Sequence, residues 1–347
     1  MPKVANDMNM EIGGSNKPVA IIIMNWNGAR LLEQFLPSVC SMTDKTIADV
    51  IVADNGSTDD SLVVLKEKFG DAVKILPFDK NYGYAGGYNK AIKETGYKYT
   101  VLLNSDVEVP GGWLNPLFDY MESHEDVMAC QPKILSYTDK SSFEYAGAAG
   151  GYIDRHGYPY CRGRIFSSIE KDEGQYDKSV EDVFWASGAA LMVRTDAYLR
   201  AGGLDEKFFA HMEEIDLCWR MHLQGGRVVM VPRSSVFHLG GGSLPAGNPR
   251  KTYLNFRNNL VLLHKNLPRE EGRRLLFVRR LYDALAFFMF VAKLDFKNAG
   301  AVLRAHRDFK EMRKMYNDFP SVNMLKKLPG CDCNIIFDYY LKGRKKF

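Results

Sequence analysis

The run Val19-Ala-Ile-Ile-Ile-Met24 decides the fold class, because a continuous, isoleucine-rich apolar stretch is typical of a central parallel strand covered on both faces. Three similar runs follow it, and helical stretches separate them. The predicted strands after the first are 49–53, 73–76 and 99–103, and the predicted helices are 30–40, 58–70 and 86–95. This alternation predicts an α/β protein with a doubly wound sheet.

The rest of the chain is less regular. Residues 132–180 predict short strands and long loops, whereas a helix over 213–224 and a strand over 227–231 are clearer. Beyond residue 250 the pattern is mostly helical. We therefore predict a disordered segment over 1–17, an α/β domain over 18–267 and a basic helical region over 268–347.

Composition excludes several classes of protein. With 347 residues, 46% hydrophobic and 25% charged, the chain is not disordered, collagen-like or a coiled-coil rod. Its six cysteines lack the paired C-x-x-C spacing of a zinc site and are too sparse for a disulfide scaffold, which indicates a reducing compartment. The first 18 residues contain no apolar core, so no cleaved signal peptide is expected. Together these features predict a cytoplasmic protein.

Charge is distributed unevenly. Residues 250–347 contain 22 Lys and Arg against 9 Asp and Glu, whereas the remainder contains 24 against 33. The basic region includes an apolar run over 281–294 that is too short to span a bilayer and has basic residues on both sides. Two interpretations stay open: a segment lying on the cytoplasmic face of the inner membrane, or an ordinary helix packed on the body. No nucleic-acid-binding module accompanies the charge, so no nucleic-acid partner is predicted.

Three predicted strands end in a polar residue, namely Asn25, Asp54 and Asp106. In doubly wound sheets, ligands bind at the carboxyl ends of the strands. The Asp54 carboxylate would accept a hydrogen bond from the N3–H of uracil or thymine, and so would favour a UDP- or dTDP-linked ligand. The alternative is that Asp54 only caps the following turn.

Asp106 and His238 are candidate metal ligands. A carboxylate after a strand commonly holds a divalent cation against a diphosphate, although here Asn104 takes the place of a second acid. His238 precedes a glycine run, and an imidazole ligand would suit Mn²⁺ better than Mg²⁺. Arg257 offers a cation for a diphosphate. Each of these residues also has an ordinary structural interpretation, as a solvated or core side chain.

Glu213 and Glu214 open the helix predicted over 213–224. Adjacent carboxylates raise each other's pKa, which suits a general base near neutrality, although acids at a helix N-terminus also stabilise the helix dipole. The two side chains point about 100° apart, so one of them faces a given cleft. Asp216 and Arg220 form an i, i+4 pair that we interpret as structural.

In their order along the chain, these motifs resemble the family 2 glycosyltransferases, and more narrowly the rhamnosyltransferase-like and galactofuranosyltransferase-like members. The resemblance covers about residues 18–267. Its motifs are Asn25, Asp54, the turn Asn81-Tyr-Gly-Tyr-Ala-Gly-Gly-Tyr-Asn89, Asn104-x-Asp106, the run from Ser187 to Leu191, Glu213-Glu214-x-Asp216 and His238.

The resemblance implies a GT-A fold with a mixed sheet, a nucleotide-sugar donor, a divalent cation (Mn²⁺ or Mg²⁺) and inverting chemistry. It makes Asp54 similar to the family's base-binding aspartate. The wall of the nucleotide pocket is expected at Asn25, Asn81 and Gly83. Donor contacts are also expected from Asn104 and Arg257, which lie outside that wall.

The resemblance further implies that Glu214 is the catalytic base and that Asp106 and His238 hold the metal. Asn104 departs from the family pattern, where many members carry Asp. The acceptor side is expected near Trp185, Ser187 and Glu213. The implied acceptor is a glycan or polyprenyl-linked sugar in cell-surface polysaccharide synthesis, with rhamnose as the favoured donor sugar.

The sequence fits three rival functions less well. A nucleotidyltransferase would also use a nucleotide and a metal, but the loop after the first strand supplies no lysine before Arg30. A dehydrogenase lacks the G-x-G-x-x-G turn. An inactive sugar-binding or assembly relative would not need to keep Asp106, Glu214 and His238.

Overall fold

The computed structural model describes residues 16–240 and 247–347. The predicted disorder over 1–17 falls almost entirely outside the described residues, as does most of the glycine run that follows His238. The described strands are β1 Val19–Asn25, β2 Ala48–Asp54, β3 Lys74–Pro77, β4 Tyr99–Leu103, β5 Val107–Glu108, β6 Val127–Ser136, β7 Gly151–Ile153, β8 Pro159–Cys161, β9 Arg164–Ile165, β10 Ser168–Ile169, β11 Glu181–Asp182, β12 Ala190–Arg194 and β13 Arg227–His238.

The helices follow the predicted positions closely in the first hundred residues. They are α1 Ala29–Met42, α2 Ser61–Phe69, α3 Gly83–Thr95, α4 Asn115–Ser123, α5 Thr195–Arg200, α6 Glu213–Leu223, α7 Pro249–Asn266, α8 Arg269–Ala292, α9 Phe296–Met312 and α10 Ile335–Tyr340. Short 3₁₀ turns occupy 206–208, 313–315 and 324–326.

Nine of the described strands form one mixed sheet in the order β11-β13-β6-β12-β4-β1-β2-β3, with β5 added beside β13. Strands β4, β1, β2 and β3 are parallel, whereas β12 runs antiparallel between β4 and β6. The predicted α/β fold with a doubly wound mixed sheet is therefore confirmed. Because β2, β1 and β4 are adjacent and parallel, the residues that follow them meet at one edge.

Strand β1 is buried on both faces, as its continuous apolar sequence predicts. Val19, Ile21 and Ile23 belong to one hydrophobic core, and Ala20 and Ile22 belong to the other. The sheet therefore lies between two packed layers and provides a rigid support for its carboxyl edge.

Two strands differ from the prediction. Strand β6 is ten residues long and was not foreseen. Strand β13 continues to His238 instead of ending at residue 231, with an irregular register against β6 between Met230 and Ser235. The sequence there contains Pro232, which resembles the end of a strand, but a bulge accommodates it and pairing resumes.

The loosely patterned region forms a small second sheet, β10-β9-β8-β7, as the predicted short strands require. Beyond it, α7, α8 and α9 pack on one another, in agreement with the helical prediction for the C-terminal region. Asn334 caps α10, and the Tyr339 hydroxyl there lies 3.0 Å from the Ser167 hydroxyl. None of the helices among the described residues has the length and apolar character needed to cross a bilayer.

Candidate functional site

Asn25 and Asp54 form a paired unit at the carboxyl edge of the sheet. The Asn25 amide donates to the Asp54 carboxylate over 2.9 Å, and the other carboxylate oxygen accepts from the Ser57 backbone N–H over 3.0 Å. Both side chains are only 1% exposed. Asp54 thus does shape the turn that follows β2. Its oxygens retain further acceptor capacity, and recognition of a base remains a prediction.

Asn55 was not predicted as a site residue, yet it holds this turn against the start of α3. Its side-chain amide donates to Asn81 Oδ1 over 3.1 Å and to the Gly83 carbonyl over 3.0 Å. Its Oδ1 accepts from the Tyr82 backbone over 2.8 Å. Gly83 has a φ of +72°, which favours glycine. Asn55 therefore ties Asn81 and Gly83 to the turn that follows β2, and their place in the wall of a nucleotide pocket stays a prediction.

Asp106 and His238 are brought together by the pairing of β5 with β13, in which His238 lies opposite Val107. His238 Nε2 is 3.1 Å from Asp106 Oδ1 and 3.4 Å from the Asn104 side-chain nitrogen. These distances place His238 beside Asp106, and their shared role as metal ligands stays a prediction. Asn104 follows β4 directly and joins the same group.

Glu144 completes this group and was missed by the sequence analysis. Its Oε2 lies 3.4 Å from His238 Nδ1, on the far side of the ring from Asp106. Burial alone would lower the pKa of His238, but hydrogen bonds and charges from Asp106 and Glu144 outweigh it and raise the pKa to about 9. Among the described residues, no group of three or more acids, histidines or cysteines has the arrangement of a complete metal site.

Tyr84 and Gly188 connect this group to the start of α6. The Tyr84 hydroxyl lies 3.3 Å from Asn104 Oδ1 and 3.1 Å from the Gly188 carbonyl. A Cβ added at Gly188 would lie 3.0 Å from that hydroxyl and 3.8 Å from Glu214 Cβ. Gly188, in the turn before β12, therefore lies between Glu214 and the Tyr84 hydroxyl that contacts Asn104.

Glu213 and Glu214 have different environments. Glu213 is buried, and burial together with the charge of Glu214 raises its pKa well above the usual range. Glu214 is half-buried, and burial raises its pKa to about 6. The Oε2 atom of each carboxylate has no hydrogen-bond partner among the described residues. Two neighbouring acids with pKa values pushed apart are characteristic of acid–base sites, and Glu214 is the accessible one.

The loop before α6 adopts an unusual backbone. Phe209, His211 and Met212 have φ values of 69°, 69° and 76°, in the left-handed region that non-glycine residues rarely occupy. The buried Asn258 side chain in α7 donates to the carbonyls of Phe208, Ala210 and His211 at 2.8–2.9 Å. Asn258 therefore holds the loop that fixes where α6 begins, and with it the position of Glu214.

Arg257 lies beside this clamp. Its guanidinium donates to the Phe208 carbonyl over 2.8 Å and to Asn258 Oδ1 over 2.9 Å. Arg257 therefore supports the loop, and its contact with a diphosphate stays a prediction. Asp216, interpreted as structural, is fully buried and binds Arg220, Lys265 and the Asn266 amide.

Two residues expected on the acceptor side are instead part of the core. The Trp185 indole N–H donates to the Tyr152 carbonyl over 3.0 Å, and the Ser187 hydroxyl donates to the Ala146 carbonyl over 2.6 Å. Both are buried. Because they are buried, these side chains do not present a surface to an acceptor. The sequence was ambiguous here, since small and aromatic residues next to a strand are also typical of a hydrophobic core. Glu213 is buried as well, whereas Glu214 is half-buried and is the more accessible acid of the pair.

The comparisons with known proteins agree with this architecture. Residues 20–186 match the model of the family described as "Glycosyl transferase family 2". Over 234 residues the chain is 28% identical to the N-acetylglucosaminyl-diphospho-decaprenol L-rhamnosyltransferase of Mycobacterium tuberculosis, covering 63% of this chain and 75% of that protein.

Two solved structures share the fold. TarS 1-349 of S. aureus in complex with UDP-GlcNAc has a TM-score of 0.57 at 16% identity, covering 84% of this chain and 80% of that one. The mannosyltransferase PcManGT of Pyrobaculum calidifontis in complex with GDP-Man and Mn²⁺ has a TM-score of 0.51 at 14% identity, covering 86% and 83%. The fold is the expected GT-A type, and residues 20–186 are similar to the glycosyltransferase family 2 domain.

Proposed function

We propose that this glycosyltransferase moves a sugar, with rhamnose favoured, from a UDP- or dTDP-linked donor to a hydroxyl of a glycan or polyprenyl-linked acceptor, with inversion of configuration. The observation that carries the proposal is the position of Glu214. It is the accessible member of the acid pair, and it stands across Gly188 from Tyr84 and Asn104 at the sheet's carboxyl edge.

In this proposal Glu214 is the general base. Its pKa of about 6 leaves it ionised at neutral pH, so it can take the proton of the acceptor hydroxyl. The acceptor oxygen then attacks the anomeric carbon as the bond to the nucleoside diphosphate breaks on the opposite side. The neighbouring Glu213, whose pKa is raised further, holds its own proton more firmly and does not compete for the one being transferred.

Asp106 and the residues around it would supply some of the ligands of a divalent cation. Asp106 offers a carboxylate and His238 an imidazole, and sites of this kind are normally completed by diphosphate oxygens of the substrate. Glu144 beside His238 Nδ1 would orient the ring, as outer carboxylates do for metal-binding histidines. When bound, the cation would neutralise charge on the departing diphosphate. PcManGT, crystallised with Mn²⁺, supports the choice of a divalent cation.

The donor assignment depends on Asp54 and Asn25. A carboxylate that accepts from an N3–H favours uracil and thymine over cytosine. The similarity to an L-rhamnosyltransferase that acts on a decaprenol-linked sugar supports both the sugar and a lipid-linked acceptor. A place on the cytoplasmic face of the inner membrane, in polysaccharide synthesis for the cell envelope, follows from that acceptor.

Calorimetric titration of UDP and dTDP, each with and without Mn²⁺, tests this proposal. We expect metal-dependent binding of one nucleotide, lost in Asp106→Asn and His238→Ala and retained in the control Asp196→Asn, whose carboxylate is exposed in α5. Absence of binding for both nucleotides with metal would favour an inactive relative. Release of pyrophosphate in place of nucleoside diphosphate during turnover would identify a nucleotidyltransferase instead.

A further inference from the structure

Helix α8 buries charged side chains and exposes apolar ones, the opposite of an ordinary surface helix. The side that faces the protein carries Arg279 and Asp283, which are 2% and 1% exposed. They pair over 3.5 Å, and His306 of α9 lies 2.9 Å from the other Asp283 oxygen. The guanidinium of Arg279 also stacks on the Tyr158 ring at 3.5 Å. These contacts fix the rotation of α8 about its axis.

The opposite side of α8 is exposed and apolar. Phe277, Leu281 and Phe288 are 63%, 61% and 64% exposed, and Leu285 and Met289 are also exposed at helical spacing from Leu281. Leu294, which follows α8, and Phe296 and Leu303 in α9 are exposed apolar side chains as well. Asp283, which interrupts this run in the sequence, points away from the patch. We call the exposed side chains of 277–289 the apolar face of α8.

A basic cavity adjoins the N-terminal end of the apolar face. Its volume is about 470 Å³, and Phe277 belongs to both features. The cavity contains five cationic side chains and no acid, and its lining residues are His264, Arg269, Gly272, Arg273, Leu276, Phe277, Arg280, Arg313, Lys314, Asn317 and Phe319.

The cavity carries unneutralised positive charge. Arg273 and Lys314 pair with Glu270 and Glu311 at the rim, but Arg269, Arg280 and Arg313 have no acidic partner within the described ranges. Burial lowers the pKa of His264 in the same cavity; hydrogen bonds to the Arg313 and Tyr316 backbone oppose this shift, and the charges of Arg313 and Arg269 add to it.

We infer that the apolar face of α8 and the basic cavity together form a docking surface for a bilayer containing anionic phospholipid, with the cavity receiving a lipid phosphate. Aromatic and aliphatic side chains next to unpaired arginines match the boundary between acyl chains and anionic headgroups. A second copy of the chain fits this surface less well, because a symmetric contact would bring the same positive charges together. The inference does not depend on the proposed transfer reaction.

Co-sedimentation of the full chain with vesicles tests the surface. We expect binding to vesicles of phosphatidylglycerol and phosphatidylcholine, and much weaker binding to phosphatidylcholine alone. The double variant Leu281→Ser/Phe288→Ser should reduce the partition coefficient at least ~10-fold, because two exposed apolar side chains no longer insert. The variant Arg280→Gln/Arg313→Gln should reduce it about 25-fold, since each basic residue at an anionic surface contributes about fivefold.

A matched control comes from α2, where Val63 is also half-exposed and Lys66 is exposed. The variant Val63→Ser/Lys66→Gln should bind vesicles within twofold of the unchanged chain. All substituted side chains are exposed, so the fold should be retained, and nucleotide titration on the same samples would check this independently. Loss of vesicle binding without loss of nucleotide binding would separate docking from the donor site.

Three results would overturn the inference. The first is equal binding of the unchanged chain and the α8 variant to anionic vesicles. The second is a dimer in sedimentation velocity that the α8 variant abolishes, with no vesicle binding by the unchanged chain. The third is calorimetric binding of inorganic phosphate that depends on Arg280 and Arg313, while vesicle binding does not depend on them.

Discussion

The two sides of the candidate site are built in opposite ways. On the side of β1 and β2, Asn25 and Asp54 are hydrogen-bonded to each other and to the turn that follows. On the side of α6, Glu213 and Glu214 each keep an oxygen without a partner, and three left-handed residues precede them. On the first side the polar side chains form their hydrogen bonds with near neighbours. On the second side the loop before α6 is held by Asn258 of α7, which is distant in sequence.

The unpaired carboxylate oxygens of the α6 side cost stability but are useful for proton transfer. A buried polar group without a hydrogen bond costs about 1–3 kcal/mol, so the α6 side lowers the free energy of unfolding in exchange for carboxylates that are free to accept a proton. Substitutions on the α6 side should therefore change turnover most, and substitutions on the β1–β2 side should change donor affinity most.

The largest expected effect is that of Glu214→Gln. Removing the base should lower kcat at least about 100-fold, while the dissociation constant of the donor nucleotide stays the same. The measurement is nucleoside diphosphate release at saturating donor and acceptor. Glu213→Gln is the matched control, because Glu213 holds its proton firmly and should lose less than about tenfold. A larger loss in Glu213→Gln than in Glu214→Gln would assign the base to Glu213.

Asn258→Ala should have the next largest effect. Without the clamp on the carbonyls of Phe208, Ala210 and His211, the start of α6 shifts, and a displacement of about 1 Å can cost up to ~100-fold in rate. We expect kcat to fall about 10- to 100-fold with donor binding retained.

Asn259→Ala separates this positioning effect from a general loss of stability. Asn259 is also buried in α7, but its amide donates to the Gly157 carbonyl over 2.7 Å and does not contact the loop. Both variants should unfold more easily, by about 1–3 kcal/mol, and only Asn258→Ala should lose turnover. Equal loss of turnover in both would mean that Asn258 has no positioning role.

The pH dependence should reveal the same base. Because the Glu214 carboxylate must be ionised to accept a proton, and its pKa is raised to about 6, kcat/KM should fall as the pH falls through 6. At pH 5 about one-tenth of the plateau value should remain. In Glu214→Gln this acidic limb should disappear from the profile. A limb that persists in the variant would show that another group titrates.

The smallest effect is expected on the other side of the site. Asp54→Asn keeps one acceptor oxygen for Asn25 or the Ser57 N–H but loses the charge that favours an N3–H donor. The dissociation constant for the donor nucleotide should rise about fivefold or more, with kcat at saturating donor nearly unchanged. A fall in kcat without a change in affinity would contradict the proposed division of labour.

The parts of the fold that could be predicted from sequence are those set by local patterns. The strand Val19–Asn25 is apolar throughout, and the helix beginning at Glu213 has acids at its start and Gly225 after its end. Strand β6 escaped prediction because its pairing with β12 and β13 is entirely long-range.

In the site, too, residues marked by local sequence patterns could be predicted, and residues placed by long-range contacts could not. Asp106 and Glu214 follow recognisable strand and helix boundaries, so their positions could be predicted. Glu144 lies in the irregular region before the small sheet, and only the folded chain places it beside His238. Asn258 carries no local signal, because its partners lie about fifty residues away along the chain.

The clamp formed by Asn258 also restricts how this sequence can change in length. One residue inserted or deleted between Phe208 and Glu213 would move the carbonyls out of register with the amide, and would rotate the first residues of α6 by about 100°. Depending on its sense, such a rotation would bring either Glu213 or Ile215 to the position that Glu214 now holds. Insertions and deletions in this loop should therefore be far less tolerated than amino-acid replacements.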